Sequence, residues 1–336
     1  MSGRRGLEIG LLLASACVSL ILAEATLRML GRGPLPVNPV PGNFWRHDAL
    51  LGWSNSPGAD GVFDHPHFRI NVHINAKGLR DRDYPYDRNP GTRRILVVGD
   101  SFVWGYGVEQ PETFPKVLEG RLPGVEVINA GVAGYGTDQE LLWLRSEGVR
   151  YRPDLVILEM CGNDDDENNS DLVYNVYHKP RFKQTGKGEL ALTGVPVPKP
   201  SRALRLKQWI FTHSALVFQL KAGVIDRFRN PRKAAPVEGL GLTLDLVDAI
   251  ARVARDAGAR LVVVTTSRYA PSPAFPYDRL VAALRQRGML TLDIDHAPGY
   301  EAGTMLIPGD AHWNPAGHQF VARQILAIID EHHLLD

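Results

Sequence analysis

The stretch Arg94-Ile-Leu-Val-Val-Gly-Asp-Ser101 decides the fold of this chain. Its apolar residues follow one another without polar alternation, which is typical of a strand buried on both faces of a parallel sheet. Gly99 and Asp100 then form a tight turn, and a helical pattern follows from about Glu112 to Leu122. A strand, a tight turn and a helix in this order indicate an α/β domain.

The same alternation continues on the C-terminal side of this stretch. Further strands are predicted at 126–128, 155–159, 260–264 and 290–294, and further helices at 138–148, 244–257, 277–287 and 315–330. Consecutive strand–helix units produce parallel sheets with helices on both faces. We therefore expect a flavodoxin-like three-layer α/β/α sandwich with a five-stranded parallel sheet.

The remaining segments divide the chain into three predicted parts. Residues 1–32 form a signal anchor or signal peptide, residues 33–90 a linker with a small β-rich extension, and residues 91–336 the core domain. The linker is the Gly- and Pro-rich segment 33–41, and the extension contains an alternating strand at 67–75. The alternation of core strands and helices is interrupted at about 168–236, which we interpret as an insertion that lines the substrate cleft and sets its specificity.

The N-terminus carries a targeting signal. Two arginines, Arg4 and Arg5, precede an apolar run from Ile9 to Leu22. This order directs a chain to a membrane, and we expect an uncleaved anchor with the catalytic domain outside the cytoplasm. Ala23-Glu24-Ala25 also has the small-x-small pattern of a signal-peptidase site, so secretion after cleavage is the alternative.

Charge and cysteine content exclude some classes of partner. Lys and Arg number 38 and Asp and Glu number 37, with no basic stretch interleaved with aromatic residues, so we expect no nucleic-acid partner. The two cysteines, Cys17 and Cys161, lie in the apolar N-terminal run and in a core strand. They are not expected to form a disulfide with each other.

Polar clusters follow the predicted strands and precede the last helix. Ligands of doubly wound sheets bind beyond the carboxyl ends of the strands, so these clusters are the candidate site. They are Gly99-Asp-Ser101, Asn129-Ala-Gly-Val-Ala-Gly-Tyr-Gly136, Gly162-Asn-Asp164 and Gly309-Asp-Ala-His-Trp-Asn314.

Each cluster also has an ordinary structural interpretation. Ser101 suits a nucleophile held in a tight turn, but serines are also common helix caps. The glycines around Gly134 allow backbone N–H groups to approach an oxyanion, but they equally suit a turn. Asn163 offers an amide donor or a turn residue. His312 and Asp310 supply the base and the carboxylate that Ser101 lacks.

In their order along the chain, these motifs resemble the SGNH/GDSL hydrolase superfamily over residues 93–166 and 242–330. The resemblance implies that Ser101 is the nucleophile, His312 the base and Asp310 its orienting partner. It also implies an oxyanion hole made by the N–H groups of Ser101 and Gly134 and the side-chain amide of Asn163. The family usually separates its late Asp and His by two residues, whereas only Ala311 intervenes here, as in some polysaccharide-acetylation relatives.

We therefore expect a serine esterase that hydrolyses acyl esters, with acetyl esters of cell-envelope glycans as the first candidates. We expect no metal and no other cofactor. An O-acyltransferase acting on polysaccharide is the alternative enzyme, and a non-catalytic glycan-binding protein of the same fold is the alternative outside catalysis. Trp104 and Tyr106 beside the nucleophile turn would suit acylated glycans, and lipid esters and thioesters are the other candidate substrates.

Two further clusters are interpreted conservatively. His65, His67 and His73 alternate in or near one strand, as metal ligands can, but solvated strand histidines are commoner. Asp164-Asp-Asp-Glu167 lacks the ligand spacing of a calcium loop. We expect it to be a solvated acidic loop that helps to place Asn163.

Overall fold

A computed structural model describes residues 2–32, 44–173, 177–186, 188–220, 240–269 and 277–336 of the chain. The chain forms two compact units, Met1–Pro39 with Pro200–Lys233, and Val40–Lys199 with Ala234–Asp336. The unit boundary therefore divides the predicted insertion 168–236 at residue 200. The predicted linker 33–41 and residues 221–236 of the predicted insertion lie outside the described residues.

The strands all belong to the larger unit. They are β1 (Trp45–Asp48), β2 (Gly52–Asn55), β3 (Asp60–His65), β4 (Phe68–His73), β5 (Arg93–Val98), β6 (Val125–Asn129), β7 (Leu155–Met160), β8 (Leu172–Val173), β9 (Tyr177–His178), β10 (Arg181–Gly186), β11 (Glu189–Thr193), β12 (Arg260–Thr265) and β13 (Leu290–Asp293).

The α-helices of the larger unit flank these strands, and α1, α6 and α7 are those in the described part of the smaller unit. The helices are α1 (Ser2–Met29), α2 (Ser101–Trp104), α3 (Phe114–Glu119), α4 (Thr137–Ser146), α5 (Asp164–Asn168), α6 (Arg202–His213), α7 (Ala215–Leu220), α8 (Leu240–Asp256), α9 (Tyr277–Gln286), α10 (Ala302–Met305) and α11 (Pro315–Glu331).

The central sheet has five parallel strands in the order β13-β12-β7-β5-β6. In core-strand numbering this is the order 2-1-3-4-5 read from the other edge, so the flavodoxin-like prediction is confirmed. The strand order changes direction between β5 and β7: β6 lies on one side of β5, and β7, β12 and β13 follow on the other side. Ser101 follows β5 and Asn163 follows β7, which puts both at this switch point.

Helices cover both faces of the sheet because the strand side chains alternate between them. On β5, Leu96 and Val98 belong to the apolar cluster that includes α4, α8 and α9. Ile95 and Val97 belong to the opposite cluster, with α3 and α11. This period of two explains why the strand reads as an uninterrupted apolar run: every residue meets a helix layer.

The β-rich extension consists of two antiparallel hairpins, β1–β2 and β3–β4. The strand predicted at 67–75 is the second strand of the latter hairpin, whose first strand, β3, was not predicted. Phe63, Ile70 and Val72 are buried and join the same core as the sheet. The stretch 189–193 also pairs in a hairpin, with β10 as its partner.

Candidate active site

Ser101 is the first residue of the short helix α2, directly after the turn that ends β5. Asp100, not Ser101, caps this helix, because its carboxylate accepts the backbone N–H of Phe102 at 2.8 Å. The Ser101 hydroxyl is therefore not used as a cap. Its Oγ lies 2.8 Å from Nε2 of His312.

His312 and Asp310 come from the loop before α11. Asp310 Oδ1 lies 2.6 Å from His312 Nδ1 and also accepts the backbone N–H of His312 at 2.9 Å. The backbone closes around these residues, since Asp310 N–H donates to Ile307 and Ile307 N–H donates to His312. Asn314 then caps α11 by accepting the N–H of Gly317 at 3.0 Å. The structure thus brings the three predicted residues into one chain of hydrogen bonds.

The environment of Asp310 keeps its carboxylate ionised. Partial burial alone would raise its pKa, but hydrogen bonds from His312 and Tyr269 and the charge of His312 outweigh it. The net result is a pKa well below the usual range of aspartate. An ionised partner is what holds an imidazole in the tautomer that presents a bare Nε2 to a serine.

Tyr269 is part of this network and was not predicted. Its hydroxyl lies 3.0 Å from Asp310 Oδ1 and 2.9 Å from His312 Nδ1. Tyr269 has a positive φ of 60°, an unfavourable backbone conformation for a side chain of this size. It follows β12, so the rule that sites lie beyond the strand ends was the signal that could have identified it.

Aromatic rings surround the imidazole of His312. The ring centroids of Tyr106, Phe102 and Tyr269 lie 4.5, 4.9 and 5.0 Å from that of His312. Trp104, by contrast, is fully buried against Trp45 and beneath Arg80. Trp104 is therefore not accessible to a glycan, because its indole completes the core between the extension and the sheet.

Two of the three predicted oxyanion donors have no hydrogen-bond acceptor within the described ranges, whereas the third already donates a hydrogen bond. Gly134 adopts a positive φ of 78°, and within the described ranges neither its N–H nor that of Ser101 has a hydrogen-bond acceptor. The Asn163 amide, however, donates to Glu167 Oε1 at 2.7 Å. Gly131 in the same turn must lack a side chain, since an added Cβ would collide with the backbone nitrogen of Trp104. The glycine-rich turn thus packs closely against the nucleophile helix.

Carboxyl groups accumulate in the protein interior behind Ser101. Glu140 and Glu159 are buried, and among the described residues no hydrogen-bond partner reaches the carboxyl oxygens of Glu140. Burial, and then the neighbouring charges of Asp100 and Asp164, raise the pKa of both glutamates well above the usual range. The pKa of Asp164 is raised to about 7, mainly by burial. At neutral pH the two glutamates therefore favour the protonated form in the folded protein.

The expectation of a solvated acidic loop at 164–167 is wrong. These residues begin α5, and both Asp164 and Asp165 are buried. Asp164 accepts hydrogen bonds from Cys161 N–H and the Thr137 hydroxyl, which replace water. The segment does help to place Asn163, through its contact with Glu167.

The three extension histidines separate into different environments. His65 is buried, with its ring 5.7 Å from that of Tyr106. A Cβ added to Gly309 would lie 2.6 Å from the ring of His67, so His67 packs on the loop that carries Asp310 and His312. His73 is exposed and pairs with Asp60 at 3.1 Å. The prediction of solvated strand histidines therefore holds for His73 but is wrong for His65.

Comparison with known proteins places the chain among the hydrolases. The family model for the GDSL-like lipase/acylhydrolase family matches residues 97–320. No curated protein sequence matches the chain.

Solved structures of lipases and esterases resemble this chain at low sequence identity. The psychrotrophic esterase EstA from Pseudoalteromonas sp. is 14% identical with a TM-score of 0.42, over 73% of this chain and 100% of EstA. A GDSL-like lipase from Bacteroides thetaiotaomicron is 15% identical with a TM-score of 0.39, over 71% and 88% of the two chains. A two-domain esterase active on acetylated mannans is 14% identical with a TM-score of 0.42, over 71% and 49%.

Proposed function

The chain belongs to the GDSL-like lipase/acylhydrolase family and is an SGNH-type serine hydrolase, and from this premise we propose that Ser101, His312 and Asp310 cleave acyl esters through an acyl-enzyme. One observation carries the proposal: Ser101 Oγ, the two ring nitrogens of His312 and Asp310 Oδ1 form a continuous chain with distances of 2.8 and 2.6 Å. Nucleophile, base and orienting carboxylate are thus within direct hydrogen-bond reach.

In the proposed cycle, His312 Nε2 takes the Ser101 proton while Oγ attacks the ester carbonyl. The oxyanion of the tetrahedral intermediate receives hydrogen bonds from the N–H groups of Ser101 and Gly134 and from Asn163 Nδ2. His312 then returns the proton to the leaving alcohol as the C–O bond breaks. Water attacks the acyl-enzyme by the same steps in reverse, which releases the acid and restores Ser101.

The first proposed substrates are acetyl esters of glycans at the cell envelope. Support comes from the aromatic rings at the imidazole: Tyr106 and Tyr269 flank His312, and residue Tyr269 is 42% exposed. Partly exposed aromatic rings are surfaces on which the apolar face of a sugar packs. Transfer of the acyl group to a sugar hydroxyl uses the same intermediate and is the alternative.

The test uses the full chain in detergent micelles. Release of p-nitrophenol from p-nitrophenyl acetate and butyrate is measured for the wild type, Ser101→Ala and His312→Ala, with His73→Ala as the matched control for an exposed histidine. We expect both site variants to fall to background and His73→Ala to keep wild-type turnover. Equal rates for wild type and Ser101→Ala would refute the acyl-enzyme proposal.

We also propose that α1 stays attached as the membrane anchor, with the larger unit outside the cytoplasm. Helix Gly6–Met29 contains an 18-residue window with a mean hydropathy of 2.1, and its 24 residues extend about 36 Å, enough to cross a bilayer. Cleavage after Ala25 would remove Glu24, whose carboxylate holds the start of α7. The mass of the protein isolated from membranes distinguishes an intact chain from the cleaved, secreted alternative.

A further inference from the structure

The smaller unit exposes an apolar surface that the hydrolase chemistry does not use. In its described part, residues 2–32 and 200–220, α1 supplies the candidate membrane span and α6 and α7 follow from the insertion. None of the span is buried. Helix α6 lies beside the span and is also exposed.

Polar contacts fasten the start of α7 to the C-terminal part of α1. Glu24 accepts the backbone N–H groups of Ala215 and Leu216, each at 2.9 Å, and the Ser214 hydroxyl at 3.0 Å. Arg28 donates to Glu24 at 2.7 Å and also to the carbonyl of His213. A charged pair near the end of a span is thus satisfied by the chain itself, and this fixes the junction between α6 and α7 at the level of Glu24.

Helix α6 presents an apolar stripe at helical spacing. Leu206, Trp209 and Ile210 stand at positions i, i+3 and i+4, and Leu206 and Trp209 are 59% and 58% exposed. Trp209 and Ile210 line a groove of about 550 Å³ together with Leu20 and Ile21 of α1. The medium that surrounds Leu20 and Ile21 therefore also surrounds Trp209 and Ile210 of this stripe.

All the charged residues of the segment 201–220 are basic. Residues 201–220 contain Arg202, Arg205 and Lys207 but no aspartate or glutamate. Lys207 Nζ lies 5.9 Å from the ring centroid of Phe211, which puts the two side chains on a common side of α6. Phe211 is about 200° around the helix from Trp209. A basic helix with an apolar stripe fits an anionic lipid surface.

We propose that α6 lies in the lipid–water interface of the membrane that α1 crosses, and binds anionic phospholipid there. Leu206, Trp209 and Ile210 enter the outer part of the acyl-chain region at the depth of Leu20 and Ile21. Arg202, Arg205 and Lys207 meet the lipid phosphates. Tryptophan is favoured at this depth because its ring is apolar and its N–H is polar. This gives the 200–220 part of the insertion a membrane role in place of the specificity role expected from the sequence.

Trp209 itself is the reporter for the test. The other five tryptophans, Trp45, Trp53, Trp104, Trp143 and Trp313, are buried, so the difference between wild type and Trp209→Phe isolates its emission. The full chain is reconstituted into vesicles of phosphatidylcholine and phosphatidylglycerol whose acyl chains carry bromine, a contact quencher, either near the headgroup or near the methyl end. We expect the Trp209 emission to be quenched strongly by the shallow bromines and weakly by the deep ones.

A matched variant tests the orientation. Phe211→Trp in the Trp209→Phe background moves the reporter to the Lys207 side of α6, and we expect much less quenching there. Resistance of the protein to alkaline carbonate extraction is measured in parallel, so that insertion of α1 is verified independently. If α1 is inserted but bromine does not quench Trp209, or quenches both positions equally, α6 does not lie in the interface as proposed. Protection of Trp209 from aqueous acrylamide without bromine quenching would show that protein covers the stripe, which also overturns the proposal.

Discussion

Asp310 Oδ1 accepts two hydrogen bonds from His312, one from the ring Nδ1 at 2.6 Å and one from the backbone N–H at 2.9 Å. The single residue between them, Ala311, does not prevent the ring contact, because the loop turns tightly enough for one oxygen to reach both nitrogens. The short spacing was the feature that favoured a non-catalytic protein of this fold. The observed geometry removes that support.

Asp310→Asn is expected to lower kcat about 10³-fold or more. The backbone N–H of His312 should keep the asparagine Oδ1, which leaves the amide NH₂ facing Nδ1 and favours the wrong tautomer of the ring. Esterase assays with p-nitrophenyl acetate measure the effect, and Asp64→Asn, at an exposed carboxylate, is the control. Activity within a few-fold of wild type would mean that Asp310 does not orient the base.

Tyr269→Phe is expected to lower kcat about 10-fold, equivalent to roughly 1.4 kcal/mol, far less than Asp310→Asn. The hydroxyl donates to Asp310 and approaches His312, so its loss loosens the imidazole without removing the carboxylate. Tyr151→Phe is the matched control, since within the described chain its hydroxyl has no hydrogen-bond partner. If both variants behave alike, Tyr269 does not position the base.

Much of this arrangement is predictable because it depends on local sequence. The apolar run Ile95 to Val98 meets a helix layer on each face, so it indicates a parallel sheet by itself. Helix α11 begins at Pro315 after the Asn314 cap, both of which are standard start signals. Ser101 and His312 were identifiable from the turn and loop that hold them.

Features that depend on distant neighbours were not predictable in this way. Tyr269 has no local signal beyond its place after a strand, and its role arises only when β12 and the loop of Asp310 meet. Trp104 reads as an exposed aromatic beside the nucleophile, but the extension supplies Trp45 to cover it. Asp164 reads as solvated, but Thr137 and Cys161 replace water around it.

Asn163→Ala is expected to lower kcat about 10²- to 10³-fold with little change in KM, because an oxyanion donor acts mainly in the transition state. The amide now donates to Glu167, so it must turn toward the substrate oxygen to act. Glu167→Gln, whose amide oxygen can still accept this bond, should cost less. A change confined to KM, or a larger loss in Glu167→Gln, would assign Asn163 a structural role instead.

Glu140→Gln is expected to change how stability depends on pH. Burial, then the charges of Asp164 and Asp100, raise the pKa of Glu140 well above its unfolded value of about 4.3. The folded state therefore binds an extra proton above that pH, and the stability that this proton contributes is present at low pH and is lost as the pH rises. The slope reaches at most about 1.4 kcal/mol per pH unit for one such group.

Thermal unfolding followed by circular dichroism at pH 5 and pH 8 measures this difference. The wild type should lose more stability between the two values than Glu140→Gln, because glutamine stays neutral at both and carries the same volume. Glu331→Gln, at an exposed carboxyl on α11, should change with pH as the wild type does. Since Glu140 has no hydrogen-bond partner for either oxygen in the described chain, the substitution breaks no polar contact there. Equal pH dependence in wild type and Glu140→Gln would show that Glu140 gains no proton on folding, and would place its charge in contact with water.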